Sequence, residues 1–202
     1  MKAVNILVAS VGGQGGLTLA RVIAEAAVIS GMSVRTGEIL GMAQRYGSVV
    51  SYIRLGEKVL SPLFSEGEAD YLLGLELFEA ARNLSYLSPQ GLAILADEYR
   101  PPLQASLSGK QYTKSELIAK IRSIVHNTIV VPARSIALSS AGTPRAINMV
   151  LLGVLNAKTN LFSEDAVVKA ISEVLAGRAR EASISAYRAG VLYAQQALRL
   201  PF

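Results

Sequence analysis

The chain has 202 residues and a mass of 21.4 kDa, enough for one α/β domain with a buried core. It contains no cysteine and one histidine, which excludes disulfides, cysteine nucleophiles, cysteine-ligated iron–sulfur clusters and multi-histidine metal sites within the chain. The formal charge of +5 comes from scattered basic residues without a dense basic run, so it favours an anionic ligand or an acidic partner surface over nucleic acid.

The apolar content is high for a soluble protein. Hydrophobic residues make up 51% of the chain and charged residues 17%, so we expect part of the apolar surface to lie in an interface with a partner. No uninterrupted run of about 18 apolar residues is present, which argues against a membrane span. The first residues lead straight into a strand-like segment without a signal-peptide cleavage site, so we expect a cytoplasmic protein.

The predicted elements alternate between strands and helices. The short apolar run at 5–9 predicts a buried parallel strand, and the alanine-rich segment 17–29 predicts a helix that ends at Gly31. Further strands are predicted at 32–35, 48–55, 71–75, 92–96 and 128–131. We also predict a hairpin between 48–55 and 59–61, a turn at 88–91 and a surface loop at 97–112. The other predicted helices are at 77–84, 115–124, 144–158, 164–177 and 179–199. This order predicts an α/β fold, a three-layer α/β/α Rossmann-like domain with a mainly parallel sheet and a helical C-terminal third.

The segment between the first strand and the first helix is rich in glycine. Gly12, Gly13, Gln14 and Gly15 lie at the carboxyl end of the strand, where glycines let a ligand approach the backbone and a helix start favours an anion. The dinucleotide-binding pattern fails because its third glycine would fall on Thr18, and no Gly-Lys-Ser/Thr sequence completes a P-loop. Two interpretations stay open here: a bound anion or nucleotide-like ligand, or a tight turn that only lets the helix pack on the sheet.

A second polar segment follows the predicted strand at 32–35. Glu38, Gln44, Arg45 and Ser48 are set among glycines, where α/β folds place ligand contacts. Each side chain can bind a carboxylate, a phosphate or a facing subunit, and the Arg45 guanidinium can hold such an anion with two hydrogen bonds. The alternative is an ordinary loop and helix in which Arg45 is solvated or forms a surface ion pair.

Together these segments resemble a known family. The chain is similar to the gamma-type subunit or domain of 2-oxoacid:ferredoxin oxidoreductases, and within that group to the beta subunit of indolepyruvate ferredoxin oxidoreductase. The resemblance covers roughly residues 5–195, and the order and spacing of its motifs are specific although each motif alone is weak. The motifs that carry it are at 11–15 (Val-Gly-Gly-Gln-Gly), Glu38, 41–45 (Gly-Met-Ala-Gln-Arg), 47–51, 61–63, 66–70, 148–153 and 186–190.

The resemblance implies a division of labour between subunits. A larger alpha-type subunit would hold thiamine diphosphate and the iron–sulfur clusters, decarboxylate the 2-oxoacid and pass electrons to ferredoxin, and coenzyme A would take the acyl group. This chain would bind no cofactor alone, pack against that subunit and help form the substrate or coenzyme A pocket, as one gamma-type domain over 1–202. The residues carried over as a substrate- or anion-binding site are Gly12, Gly13, Gln14, Gly15, Glu38, Met42, Gln44, Arg45 and Ser48.

The chain departs from the family at one position, and other functions stay open. The family commonly has a second glycine directly after the arginine, where this sequence has Tyr46, which puts the usual shape of the pocket in doubt. One alternative is a stand-alone nucleotide-binding regulatory module, which requires the chain alone to bind a nucleotide. Another is a purely structural adaptor, in which the polar residues around Arg45 are interface contacts.

Overall fold

The computed structural model describes residues 3–41, 47–100 and 112–197 of the chain. The strands are β1 (Val4–Val11), β2 (Ser33–Leu40), β3 (Ser48–Gly56), β4 (Ala69–Gly74), β5 (Leu87–Ala96) and β6 (Thr128–Val131). The helices are α1 (Gly16–Ile29), α2 (Leu77–Arg82), α3 (Lys114–Ile124), α4 (Ala133–Ala141), α5 (Ile147–Thr159), α6 (Glu164–Val174) and α7 (Gly177–Ala197), with single 3-10 turns at Leu84–Tyr86 and Pro144–Ala146.

The six strands form one sheet in the order β2-β3-β1-β4-β5-β6. β1, β4, β5 and β6 run parallel to one another, whereas β3 pairs antiparallel with both β1 and β2. The prediction of a mainly parallel α/β sheet is therefore confirmed, with an antiparallel hairpin added at one edge. That hairpin brings the β2–β3 connection to the same end of the sheet as the carboxyl end of β1.

The predicted hairpin between β3 and residues 59–61 is wrong, because β3 pairs with the preceding strand β2 instead. β2 also runs well beyond the predicted strand. The Val59 N–H donates to the Ser33 hydroxyl at 3.3 Å. A Cβ added to Gly37 would lie 3.0 Å from the ring of Pro62. This segment therefore packs across β2 and does not extend the sheet.

Two other local predictions also fail. Residues 88–91 are not a turn: β5 pairs with β4 at Leu87 and again from Leu92, and the register shift between these points takes up the residues in between. The helix Ala133–Ala141 was not predicted, because Pro132 precedes it and no side chain caps its first turn.

Helices cover both faces of the sheet, which confirms the three-layer prediction. Ile6 and Val8 on β1 face a core built with α1, α4, α5, α6 and α7, while Leu7 and Ala9 face a second core built with α2 and α3. The helix α5 lies between the sheet and α7, so residues 147–156 are all buried. Among the described residues, no helix has both the length and the apolar character to cross a membrane.

The helices α5 and α7 cross with almost no space between their backbones. A Cβ added to Gly153 would clash with the Tyr187 carbonyl oxygen and lie 2.8 Å from the Val191 nitrogen. A Cβ added to Gly190 would clash with the Val150 carbonyl oxygen. Glycine at both positions therefore allows α7 to lie directly against the buried helix.

We expect Gly153→Ala to lower the free energy of unfolding by about 2 kcal/mol or more, since the added methyl group must displace backbone atoms. The loss should exceed the small gain that alanine gives a helix interior. Urea unfolding followed by circular dichroism would measure it. Ser185→Ala, at an exposed position of α7, is the control and should change the midpoint little.

Candidate anion-binding site at the glycine turn

The turn between β1 and α1 is a tight backbone loop. Gly12 donates its N–H to the carbonyl of Gly47 at 2.8 Å. Gly13 and Gly15 have φ angles of 92° and 82°, in the left-handed region that favours glycine. A Cβ added to Gly13 would meet nothing within 4 Å, so the space beside this residue is open. The turn therefore leaves room for a ligand to approach the backbone.

The Gln14 side chain lies beneath this turn and is 7% exposed. Its Oε1 accepts the Val11 N–H at 2.8 Å, and its Nε2 donates to the Leu75 carbonyl at 3.2 Å. Both ends of the amide are thus bonded to backbone. The side chain of this predicted site residue shapes the turn and ties it to the end of β4.

Asn148, the second residue of α5, holds the turn from the other side. Its Nδ2 donates to the Gly15 carbonyl at 3.0 Å, and its Oδ1 accepts the Met149 N–H at 2.9 Å. A Cβ added to Gly15 would lie 2.7 Å from the Asn148 Nδ2. Glycine is therefore required at position 15 both by the backbone angle and by this close amide.

The amino end of α1 has no side-chain cap and no acidic residue in its first turn. The helical hydrogen-bond ladder begins with the Leu19 N–H, which donates to the Gly15 carbonyl at 3.0 Å. The N–H groups of residues 16–18 precede this ladder and carry the positive end of the helix dipole. Such a helix start attracts an anion.

A pocket of about 490 Å³ opens beside this helix start. Two arginines, Arg145 and Arg178, line it, and its described lining contains no aspartate or glutamate. Neither arginine forms an ion pair with a carboxylate in the part of the chain that the structure describes. The described lining is Gly13, Gln14, Gly15, Thr18, Ala141, Thr143, Arg145, Ala146, Asn148, Leu175, Arg178, Ala179, Ala182 and Ser183.

The structure separates two other predicted site residues. Glu38 is exposed within β2, opposite Ser51 of β3, and not in a loop after the strand as expected. Ser48 is the first residue of β3 and pairs with Val11, beside the turn. Because side chains alternate along a strand, Glu38 lies on the sheet face that α1 covers, whereas Ser48 lies on the opposite face.

The other three predicted residues, Met42, Gln44 and Arg45, lie outside the described residues, as does Tyr46. Their flanking residues are held close to the glycine turn. Gly41 donates its N–H to the Ser48 carbonyl at 2.8 Å, and Gly47 accepts the Gly12 N–H. The described residues therefore place Gly47 beside the glycine turn, while the site predicted at Met42, Gln44 and Arg45 stays a prediction.

A buried carboxylate, Glu76, lies two residues after the end of β4 and was not predicted. It is 1% exposed and accepts backbone N–H groups from Glu79 and Arg100, each at 2.9 Å. Burial raises the pKa of the Glu76 carboxyl, although these backbone donors oppose the shift. Its geometry is that of a helix cap for α2, and it also anchors the chain just before residue 101.

Comparison with known proteins decides the family. Residues 5–193 match the family described as pyruvate ferredoxin/flavodoxin oxidoreductase. The chain belongs to this family. The indolepyruvate oxidoreductase subunit IorB of Pyrococcus horikoshii is 35% identical over 203 residues, which cover 99% of this chain and 100% of that protein.

Solved structures share the fold of this family member. The gamma subunit of a keto/oxoacid ferredoxin oxidoreductase from Geobacter sulfurreducens has a TM-score of 0.70 at 21% identity, over 95% of this chain and 98% of that chain. The 2-oxoglutarate:ferredoxin oxidoreductase of Magnetococcus marinus, with 2-oxoglutarate, coenzyme A and succinyl-CoA bound, has a TM-score of 0.72 at 20% identity. The match covers 96% of this chain and 31% of that longer one. The predicted resemblance and the prediction of an oxidoreductase subunit are confirmed.

Sequence reasoning missed most of the pocket in this family member. Arg145, Arg178 and Ser183 lie more than a hundred residues after the glycine turn and show no local motif. Asn148 was noticed only as part of the family resemblance. Its hydrogen bond to Gly15 spans 133 positions of sequence, so no spacing rule could have found it.

We expect Gln14→Ala to lower the free energy of unfolding by about 2 kcal/mol or more, because it leaves a buried backbone donor and a buried acceptor without partners. Thermal or urea unfolding would measure the change. Gln90→Ala, at an exposed position of β5, is the matched control. Equal stabilities of the two variants would show that Gln14 does not hold the turn.

Glu76→Gln should change how stability depends on pH. Because burial raises the pKa of Glu76 on folding, its contribution to stability is greatest in acid and is lost as the pH rises through the raised pKa. The stability of the variant relative to wild type should therefore increase as the pH rises from acid toward neutral, as measured by urea unfolding. Glu116→Gln is a control of opposite sign, since hydrogen bonds from Thr113 hold the pKa of Glu116 below its usual range.

Proposed function

We propose that this chain is the cluster-free subunit of an arylpyruvate-type 2-oxoacid:ferredoxin oxidoreductase, formed as a single gamma-type domain. Full-length similarity to an indolepyruvate oxidoreductase subunit, in a chain without cysteine, is the observation that carries the proposal. Indolepyruvate or a related arylpyruvate would be the 2-oxoacid. The chain would be inactive alone.

The redox chemistry would belong to a larger partner. Iron–sulfur clusters are held by cysteine thiolates, which this chain lacks. The described residues also contain no group of three or more histidine, aspartate or glutamate side chains that could hold a metal ion. We therefore assign the clusters and thiamine diphosphate to the partner subunit, from which electrons would pass to ferredoxin. Thiamine diphosphate supplies the stabilisation of the carbanion formed on decarboxylation.

The role assigned to this chain is to present an anion-binding surface to the shared active site. The glycine turn supports this role, because it combines an open approach at Gly13 with the uncapped amino end of α1. Coenzyme A carries phosphate groups of the required charge, and it is bound in the related Magnetococcus marinus enzyme. Arg45, close in sequence to the anchored Gly47, would bind a carboxylate or phosphate beside the turn.

The alternative, a stand-alone nucleotide-binding module, has less support. The turn matches neither the dinucleotide-binding pattern nor the P-loop. Relatives of nearly the same length are named as oxidoreductase subunits. Nucleotide-dependent activity of the chain without any partner would favour the alternative.

The test is reconstitution of the enzyme from this chain and the large subunit that co-purifies with it, which should carry the thiamine and the clusters. We expect oxidation of an arylpyruvate that depends on coenzyme A and ferredoxin, and that is absent when either protein is omitted. Equal turnover with and without this chain, or bound iron or thiamine in this chain alone, would contradict the proposal.

Arg45→Ala in the reconstituted enzyme should lower kcat/KM about 10- to 100-fold, because a charge-assisted pair of hydrogen bonds to an anion is lost. Arg35→Ala is the matched control. Arg35 is exposed on β2, and its guanidinium donates to the neighbouring Val34 carbonyl at 2.8 Å. Unchanged kinetics in the Arg45 variant would remove that residue from the site.

A further inference from the structure

A second pocket lies at the opposite end of the sheet from the glycine turn. Asn5, near the amino end of β1, lines this pocket, whereas the glycine turn follows Val11 at the carboxyl end of the same strand. At about 3.3 Å per residue along a strand, the two ends are about 20 Å apart. The second pocket has a volume of about 570 Å³. It is therefore separate from the candidate anion-binding site.

Three polar side chains form a row across neighbouring strands at this pocket. Arg54 of β3 pairs with Asn5 of β1. Asp70 of β4 lies beside Asn5 on the other side, because the next residues, Tyr71 and Ile6, pair with each other. Side chains in one row point to the same face of a sheet, and Arg54, Asn5 and Asp70 all line the pocket. The row thus has a cation at one end, an amide in the middle and a carboxylate at the other end.

The two charges of this row do not neutralise each other. Neither Arg54 nor Asp70 forms an ion pair in the part of the chain that the structure describes. The Arg54 Nη1 donates to the Leu63 carbonyl at 3.3 Å, and the Asp70 Oδ2 accepts the Asn5 N–H at 2.8 Å. Both side chains are partly buried, where charges interact more strongly than in open water. A ligand between them would meet opposite charges at its two ends.

The amide in the middle of the row has an acceptor without a partner. Asn5 is 7% exposed, and its Nδ2 donates to the Glu68 carbonyl at 2.8 Å. This bond fixes the orientation of the amide, and the Asn5 Oδ1 has no hydrogen-bond partner among the described residues. Buried polar atoms of this kind normally have a partner. An ammonium group that reaches the floor of the pocket would supply the missing donor.

We propose that this pocket binds an α-amino acid, with Arg54 holding its carboxylate and Asp70 and Asn5 holding its ammonium group. A guanidinium binds a carboxylate with two hydrogen bonds, and a carboxylate binds an ammonium group with a charge-assisted bond. Strands are about 5 Å apart, so the α-carbons of Arg54 and Asp70 are about 10 Å apart. That span holds two side chains with the adjacent charged groups of one amino acid between them.

The size of the pocket and its charges together define the class of ligand. A volume of about 570 Å³ is within the range of small-molecule sites and has room for a large side chain. The carboxylate of Asp70 recognises the amino group, which a 2-oxoacid lacks. That the side chain is aromatic rests on the proposed function, because an aromatic amino acid differs from its arylpyruvate only at that group. The zwitterion site itself does not depend on the proposed function.

The test is an NMR titration of the full-length chain, which measures both affinity and location. The probes are L-phenylalanine, L-tryptophan and L-alanine, with phenylpyruvate and 2-phenylethylamine as analogues that each lack one of the two charges. We expect the shifts from L-phenylalanine to centre on the amides of Asn5 and Gly91, which line this pocket, and not on Gly13. Each analogue should bind this pocket about 10- to 100-fold more weakly than L-phenylalanine.

Variants of the two charged residues test their roles. Arg54→Gln and Asp70→Asn should each weaken binding of L-phenylalanine about 10- to 100-fold. Asp70→Asn keeps an oxygen that can accept the Asn5 N–H. Arg35→Gln is the matched control, because Arg35 pairs with Arg54 on the neighbouring strand and does not line the pocket. Its affinity should stay within about twofold of wild type.

The analogue without a carboxylate separates a lost contact from a lost fold. Arg54→Gln should leave the affinity for 2-phenylethylamine unchanged, because this ligand offers the guanidinium no carboxylate. Asp70→Asn should weaken the same ligand as much as it weakens L-phenylalanine. A variant that had lost its fold would bind neither ligand, and its NMR spectrum would show the loss directly.

Three outcomes would overturn the proposal. They are the absence of shifts near Asn5 with all three amino acids, equal losses in the Arg54 and Arg35 variants, and equal affinity for L-phenylalanine and 2-phenylethylamine. Equal affinity for L-alanine and L-phenylalanine would support the zwitterion site and overturn the aromatic preference. The reconstituted activity tests the proposed function independently.

Discussion

The described site depends on two buried amide side chains, which hold the glycine turn from two sides. The Gln14 amide accepts the Val11 N–H and donates to the Leu75 carbonyl, and the Asn148 amide donates to the Gly15 carbonyl. Their hydrogen-bonding groups are satisfied by backbone atoms, so the turn is fixed in place without using any group that a ligand needs. The backbone N–H groups at the start of α1 remain directed outward. Preorganisation of this kind reduces the entropy that ligand binding would otherwise cost.

The edge hairpin of β2 and β3 determines which residues lie beside the glycine turn. β3 runs antiparallel beside β1, so its first residues lie next to the end of β1, where the turn begins. The bond between Gly12 and Gly47 then holds the flank of residues 42–46 close to the turn. A purely parallel sheet would place the connection between successive strands across a helix and could not bring these two segments together so directly.

The helical C-terminal third contributes pocket residues that are distant in sequence from the glycine turn. α5 is buried on all sides because it lies between the sheet and α7, and the close contact at Gly153 and Gly190 sets the position of α7. That position brings the start of α7, with Arg178 and Ser183, to the pocket beside α1. A change in the helix crossing would thus move the cations that face the glycine turn.

The sequence alone determined the parts of this protein that depend on local pattern and composition. The absence of cysteine excluded iron–sulfur ligation, and the apolar run before Gly12 and Gly13 predicted the first strand, the turn and the first helix. Motif order was enough to indicate the family. These features depend on residues within a few positions of one another, or on residues that are missing altogether.

Only the tertiary structure decided which strands pair and which side chains share the pocket. The choice of β2 rather than residues 59–61 as the partner of β3 depends on packing across the sheet edge, which no local propensity encodes. Arg145 and Arg178 look like ordinary surface arginines in the sequence. They become part of a site because the starts of α1, α5 and α7 meet, and that meeting is set by the burial of α5 and not by any spacing along the chain.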